Sequence, residues 1–289
     1  MSDAAGMAKR LVRNAFEHAA AGYDAHAVLQ REVGERMLAR LDYVNVAPRA
    51  VLDVGSGTGV ALPVLRDRFP DSHLYALDVA PAMLARARRR ASWWQQVRGR
   101  GTRMVCGDVE QLPLRAAAVG LVWANLMLQW VITPERAFAE VQRVLEPGGL
   151  FMFSTFGPDT LRELREAYRG ADSYSHVNRF IDMHDIGDLL VYAGFADPVM
   201  DMEYITLTYA DVRALLRDLK ALGAHTVLDG RRPTVAPRAL LAQVERNYEL
   251  LRSAGRLPAT FEVVYGHAWR PQPRTGPGGR RVIDIKATP

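Results

Sequence analysis

Val51-Leu52-Asp53-Val54-Gly55-Ser56-Gly57-Thr58-Gly59 is the stretch whose reading decides the fold. The apolar run from Ala50 to Val54 predicts a buried parallel strand, and the glycines after it predict a tight turn into a helix whose N-terminal amides face a ligand. Glycine suits that turn because a Cβ would hold the backbone away from whatever binds there. Two further pieces repeat the theme. His73 to Leu77 reads as a second strand ending on Asp78, and Met104 to Cys106 as a third ending on Gly107-Asp108. Acidic residues at three successive strand ends describe a nucleoside-binding crevice.

The spacing also bears on the ligand. A dinucleotide fingerprint is G-x-G-x-x-G, whose third glycine packs the helix onto the strand over a pyrophosphate. Here it is G-x-G-x-G, with Asp53 just ahead of the turn, where it would repel a pyrophosphate but pair with the ammonium of S-adenosylmethionine. Asp78 stands about 20 residues beyond the loop, the distance at which an acid accepts ribose hydroxyls. Asp108 is placed to accept from the adenine amino group, with Val109 beside it. The expected cofactor residues are Asp53, Gly55, Gly57, Gly59, Asp78, Asp108, Val109 and Asn125. Structural readings stand beside these: Asp78 also suits a cap for a helix beginning at Pro81, and Asp108 also suits a turn.

The 289 residues suffice for one large domain, and 49% are apolar, enough for a substantial core. The single cysteine, Cys106, excludes an intrachain disulfide, fits a reducing compartment and reads as a small buried apolar residue. No segment approaches the roughly 18 apolar residues of a membrane span, and the N-terminus lacks an apolar signal core, so the expected location is the cytoplasm. The formal charge is +5, and of 37 basic residues only Lys9, Lys220 and Lys286 are lysine. A mildly basic surface suits an acidic partner through steering of the encounter. The densest cluster, Arg86, Arg88, Arg89 and Arg90 with Arg98, Arg100 and Arg103, also reads as the solvated face of a helix and its loop. No RNA-binding module or aromatic-basic stripe is present, which argues against a nucleic-acid partner, and no paired His/Cys spacing predicts a metal site.

Strand and helix patterns alternate from Ala50 to Thr155, predicting an α/β, doubly wound sheet. Val119 to Ala124 is the fourth strand and Gly149 to Thr155 the fifth. Pro134 to Leu145 between them is a helix, stopped by Pro147-Gly148-Gly149. Upstream, Lys9 to Ala20 and His26 to Leu41 are helices, the second carrying Leu29, Val33, Met37 and Leu41 on one face. Downstream, Phe156 to about Gly194 breaks the rhythm with a helix over Thr160 to Tyr168 and a polar-aromatic stretch, Ser173 to Asp185. Strands around Val199 to Thr206 and Thr260 to Trp269 flank helices near Asp211 to Gly223 and Arg238 to Ser253. The Pro- and Gly-rich tail, 271–289, is expected to be flexible.

These residues resemble the class I S-adenosylmethionine-dependent methyltransferases, through Val51 to Gly59, Asp78, Gly107-Asp108 and Pro147-Gly148-Gly149. Longer stretches narrow the resemblance to the malonyl-acyl carrier protein O-methyltransferases of biotin synthesis: Phe16 to Gln30, Asn125 to Trp130, Phe153 to Leu161, Val177 to Asp185 and Glu262 to Trp269. The resemblance implies a single Rossmann-like domain with a seven-stranded sheet over 1–270. Its parts are N-terminal cap helices (1–45), an S-adenosylmethionine-binding core (50–155), a lid insertion after the fifth strand (156–194) and the rest of the sheet (195–270). It further implies methyl transfer to the free carboxylate of a malonyl thioester on an acidic acyl carrier protein, with the ester hiding the charge from chain-elongation enzymes. A mitochondrial arginine-hydroxylating assembly factor resembles the same loop and Asn125 to Trp130, which leaves an S-adenosylmethionine-binding assembly role, or methylation of another small acceptor, as alternatives.

A carboxylate with a pKa near 4 is ionised at pH 7, so the implied transfer needs no general base, only an oxygen held in line with the methyl group and shielded from water. Tyr23, Arg179 and Asn125 are the expected catalytic residues. Tyr23 equally suits the closing of an N-terminal helix, and Arg179 a salt bridge to Asp182 or Asp185. Asn125 is followed by Leu126 and not by Pro-Pro-aromatic, which argues against an amide or base nitrogen as acceptor. Trp130 reads as a channel wall or as core, while His184 and His267 read as structural. Lys9, Arg10 and Arg13 are the expected carrier-protein face because they flank Tyr23.

Overall fold

The first strand, β1 (Ala50–Val54), is buried along its whole length, as a near-continuous apolar run flanked by parallel neighbours on both edges should be. The structure, a computed structural model, describes residues 3–90, 101–223 and 237–273. Around β1 lie β2 (His73–Asp78), β3 (Arg103–Cys106), β4 (Val119–Ala124), β5 (Leu145–Phe156), β6 (Ala196–Tyr209) and β7 (Leu257–Trp269), in the spatial order β3-β2-β1-β4-β5-β7-β6. Pairings from β3 through β5 are parallel, and β7 runs antiparallel between β5 and β6. The order reverses between β1 and β4, so a crevice opens at their carboxyl ends. This is the expected α/β, doubly wound, seven-stranded sheet.

The helices cover both faces. In chain order they are α1 (Asp3–Ala19), α2 (Tyr23–His26), α3 (Val28–Leu41), α4 (Ala61–Arg68), α5 (Pro81–Arg90), α6 (Pro134–Val144), α7 (Arg162–Tyr168), α8 (Met183–Tyr192), α9 (Val212–Ala221) and α10 (Arg238–Glu249). Leu29, Val33, Met37 and Leu41 of α3 are all buried against one face, with Val51, Trp123 and Met152. Phe138 and Val141 of α6 and Ile186 and Leu190 of α8 pack on the other, with Leu52, Val122, Phe151 and Phe153.

Three local expectations are corrected. The helix after β4 ends at Val144, not at Pro147-Gly148-Gly149; Leu145 is already extended and pairs with Val119. The Pro-Gly-Gly turn lies inside β5, where the Gly148 amide donates to the Arg270 carbonyl and the Arg270 amide to Gly149. The N-terminal helix starts at Asp3, and the second begins at Val28 after a break at Ala27 (ψ 40°), with the single turn α2 between them. Cys106 is exposed rather than buried, because β3 is an edge strand with a partner on one side only. Within 156–194, α7 buries Leu164 and Ala167 in the core and α8 belongs to the layer that covers the opposite face, which leaves 169–182 outside helices and strands. Arg98 and Arg100, and residues 274–289 of the tail, lie outside the described residues.

Candidate active site

The glycine turn delivers little hydrogen bonding to a ligand. Its Gly55 and Ser56 amides both donate to the Leu77 carbonyl (2.8 and 3.0 Å), and the Gly57 amide donates to Asp78 Oδ2 (2.9 Å). An anion-binding loop keeps such amides free. Here they tie β1 to the end of β2, which argues against a phosphate ligand on the turn itself.

Three acids follow at the strand ends. Asp53 is 3% exposed, its Oδ2 has no partner, and burial, with Asp78 nearby, raises its carboxyl to about 8. Asp78 is held by the amides of Gly57 and Ala80, and burial lifts it to about 6 against those bonds. Each of its oxygens has a lone pair left for a further donor. Asp108 caps its own turn through the Glu110 amide and accepts from Lys9 Nζ (2.6 Å), which also meets Glu110 (2.7 Å). Lys9 therefore faces inward and locks α1 over the crevice, leaving only Arg10 and Arg13 of the expected docking trio exposed.

Three cavities that share lining residues lie around this region. The crevice, about 120 Å³, is lined by Gly55, Gly57, Asp78, Asp108 and Val109 on the sheet side and by Phe16, Tyr23 and Trp130 opposite. A second cavity of about 140 Å³ lies between α3 and the glycine turn and contains Asp53, Ser56, Thr58 and Trp123. A third, about 360 Å³, spreads under residues 156–180 and α9. Tyr23 and Asn125 line the first two, and Trp130 lines the first and third. Gly59 lines none of the three, and its added Cβ would meet Leu62 and Ala87, so it serves the seating of α5 against the turn.

Tyr23 is anchored by its neighbour. Asp24 accepts from Thr58 Oγ1 and from Arg90 (both 2.5 Å), fixing α2 over the turn. The Tyr23 ring lies 6.4 Å from Phe16, which meets Trp130 edge-on at 5.4 Å. Burial, with Asp78 and Asp24 nearby, raises the Tyr23 phenol further above neutrality, so it stays a neutral donor. Asn125 has a structural duty: Nδ2 donates to the Gln30 carbonyl (2.9 Å) and Oδ1 accepts from Ser154 (2.8 Å). Leu126, at φ 47°, turns the chain sharply after β4 and faces the crevice, a strained position of the kind found at ligand sites.

Arg179 is not brought to this site. It is exposed, has no ion-pair partner among the described residues and lines none of the three cavities, although its neighbours Asn178 and Phe180 line the largest. In an extended segment alternate side chains point opposite ways, so an arginine between two inward residues faces out. His184 is exposed on α8. His267 on β7 is half-buried with a pKa lowered by that burial, and lines none of the three cavities. Residues not anticipated from the sequence are the polar walls of the large cavity: His26, paired with Asp218 (2.7 Å), which also accepts from Tyr209, and His176, paired with Asp172 and stacked on Tyr168 at 3.7 Å.

Comparison with known proteins agrees with this geometry. Residues 52–153 match the methyltransferase domain family. Over 292 residues the chain is 54% identical to the malonyl-[acyl-carrier protein] O-methyltransferase of Nitrosospira multiformis, covering 96% of this chain and 95% of that protein. It is also 54% identical to the protein of that name from Gallionella capsiferriformans, with 95% of each covered. The chain belongs to the malonyl-[acyl-carrier protein] O-methyltransferase family. Among solved structures, the YcgJ protein of Bacillus subtilis shares the fold of this methyltransferase, with a TM-score of 0.57 at 14% identity, covering 82% of this chain and 98% of that one.

The cofactor of a methyltransferase with this domain is S-adenosylmethionine, and the residues fit it. The unpartnered Asp53 Oδ2 is a buried acceptor suited to an ammonium, Asp78 retains acceptor capacity for ribose, and the spent amides suit a ligand without phosphate. Among the described residues, no helix of this methyltransferase is long and apolar enough to cross a membrane.

Proposed function

We propose that the protein transfers the methyl group of S-adenosylmethionine to the free carboxylate of malonyl-acyl carrier protein, giving the methyl ester that primes the biotin chain, and that it acts in the cytoplasm. The observation that carries the reading is 54% identity across nearly the whole length to proteins named for that reaction. The bound cofactor supplies an electrophilic sulfonium methyl. The acceptor carboxylate is already ionised at neutral pH, so the chain would need to supply no base for this transfer.

The chain's own part is to bind, orient and exclude water. Asp53, Asp78, Asp108 and Val109 hold the cofactor against Gly55 and Gly57. Tyr23 donates at the reacting end, Asn125 positions α3, and Phe16 and Trp130 close the wall. The thioester and the end of its arm occupy the large cavity, whose lining is mostly apolar; of the expected lid, 156–194, the stretch 169–182 covers it, with Phe180 packed on Phe156 of β5, which meets Phe261 of β7. Purified protein incubated with S-adenosylmethionine and malonyl-acyl carrier protein should raise the carrier mass by one methyl group and release S-adenosylhomocysteine, with acetyl-carrier protein inert. S-adenosylmethionine binding without turnover would refute the substrate assignment.

Arg10 and Arg13 are the exposed cations on the helix that closes the crevice, and they form the docking face for the acidic carrier. Reversing both to Glu should raise KM for malonyl-carrier protein about tenfold, in a salt-dependent way, with kcat unchanged, because exposed charges act chiefly on encounter. An unchanged KM at low salt would move the docking face elsewhere.

A further inference from the structure

We propose that Gln30 is a cofactor-binding residue, whose side-chain carbonyl accepts a hydrogen bond from the ammonium of S-adenosylmethionine opposite Asp53; this rests on the cofactor assignment and not on the identity of the acceptor. Four buried side-chain atoms without a partner among the described residues, Gln30 Oε1, Asp53 Oδ2, Ser56 Oγ and Trp123 Nε1, belong to residues that line one cavity, the space of about 140 Å³ between α3 and the glycine turn. Buried polar atoms are otherwise paired, so a group of them around one cavity points to a polar ligand.

The chemistry of the four atoms selects the ligand. Gln30 Oε1 can only accept, as can an ionised Asp53, so both need a donor. Trp123 Nε1 can only donate, and the Ser56 hydroxyl can do either. An amino-acid end supplies both kinds of partner, an ammonium that donates and a carboxylate that accepts. The fold brings these residues to one place. Asp53 and Trp123 are direct partners across β1 and β4, so their side chains leave the sheet on the same face, the one that α3 covers through Leu29, Val33 and Met37. Gln30 and Gly34 lie one turn apart on α3 above the end of β4. The Gln30 backbone carbonyl accepts from Asn125 Nδ2 at 2.9 Å, and a Cβ added at Gly34 would stand 3.1 Å from that same atom. Asn125, held in turn by Ser154, thus fixes the Gln30 backbone beside the strand that carries Trp123. Of the other charged residues on this lining, Glu35 is exposed, and Arg31, whose Nη1 donates to the Asp24 carbonyl, is a cation suited to the carboxylate and not to the ammonium.

Gln30→Leu, Gln30→Glu and the native protein should be titrated calorimetrically with S-adenosylhomocysteine, which keeps the amino-acid end, and with methylthioadenosine, which lacks it, and their melting temperatures compared without ligand. Gln30→Leu should bind S-adenosylhomocysteine about tenfold more weakly, through loss of one hydrogen bond to a charged group, and methylthioadenosine within about twofold of native. Its melting temperature should not fall, because the substitution removes a buried acceptor that the empty protein leaves unpaired. Gln30→Glu, whose side chain still accepts, should keep S-adenosylhomocysteine affinity within about threefold. Combined with Asp53→Asn, Gln30→Leu should cost less than the product of the two single losses, since both side chains contact one ammonium. A Gln30→Leu variant within about threefold of native for S-adenosylhomocysteine, equal losses for the two ligands, or fully additive losses in the double variant would overturn the proposal. So would a Gln30→Glu variant weaker than Gln30→Leu, which would make the amide a donor. None of these affinities depends on turnover, so a native protein that binds S-adenosylhomocysteine yet leaves malonyl-carrier protein unmodified refutes the substrate reading while the assignment of Gln30 stands.

Discussion

Asp53→Asn is expected to weaken S-adenosylmethionine binding about 100-fold or more at pH 7.5, while leaving the ligand-free protein at least as stable as the native chain. The two effects separate because the buried carboxyl carries an orphan oxygen and a pKa raised to about 8. At neutral pH the empty site holds it mostly protonated, a state an amide mimics in shape and charge. An incoming ammonium requires the ionised form, which the amide cannot supply. Linkage fixes the sign of the pH dependence. The folded pKa lies above the ordinary 3.8, so this group's contribution to stability is full below pH 3.8 and is lost as pH rises through about 8. Cofactor affinity runs the opposite way, rising close to tenfold per unit between about pH 6 and 8. Titration calorimetry should show proton release on binding at pH 7 by the native protein, and none from this site in the variant. Equal affinities at pH 6 and 8 would refute the pairing of Asp53 with the ammonium.

Gly55→Ala should destabilise the fold by about 2–4 kcal/mol and abolish cofactor binding, whereas Gly57→Ala should cost about 1–2 kcal/mol. Both residues have positive φ, 70° and 52°, so each substitution incurs the left-handed penalty. At Gly55 the new Cβ would also sit 2.7 Å from Met127 Cβ and closer still to its Cγ, and those atoms cannot withdraw without moving the turn that Leu126 begins. Around Gly57 the same atom meets nothing within 4 Å. Melting temperatures and calorimetric affinities for the pair test this. Equal losses would mean that the backbone conformation alone decides the effect and that the approach of Met127 to the turn does not matter.

The sequence by itself determined the succession of strands along the chain, the glycine turn after the first of them and the three acids near the strand ends. These follow from local patterns: Ala50–Val54 must be buried, a glycine turn must follow it, and Asp78 and Asp108 close strands whose neighbours are set by topology. The buried face of α3 was legible for the same reason, because its apolar spacing repeats with the helix. Boundaries were less legible where pairing overrode local signals, as at Leu145, which leaves its helix to pair with Val119 before the Pro-Gly-Gly turn arrives.

Tertiary structure decided which polar groups are free. The glycine-turn amides look available in the sequence but are taken by Leu77 and Asp78; Lys9 looks like a surface cation but neutralises Asp108 and Glu110; Arg179 looks like a substrate clamp but faces away from the cavities. Gln30 carried no motif of its own and stands at the junction of two cavities with its Oε1 buried and unpartnered. A side chain's capacity for ligand binding is what remains after its long-range partners are satisfied. Those partners, 95 residues away for Gln30 and Asn125 and 99 for Lys9 and Asp108, are set by how the sheet brings distant segments together.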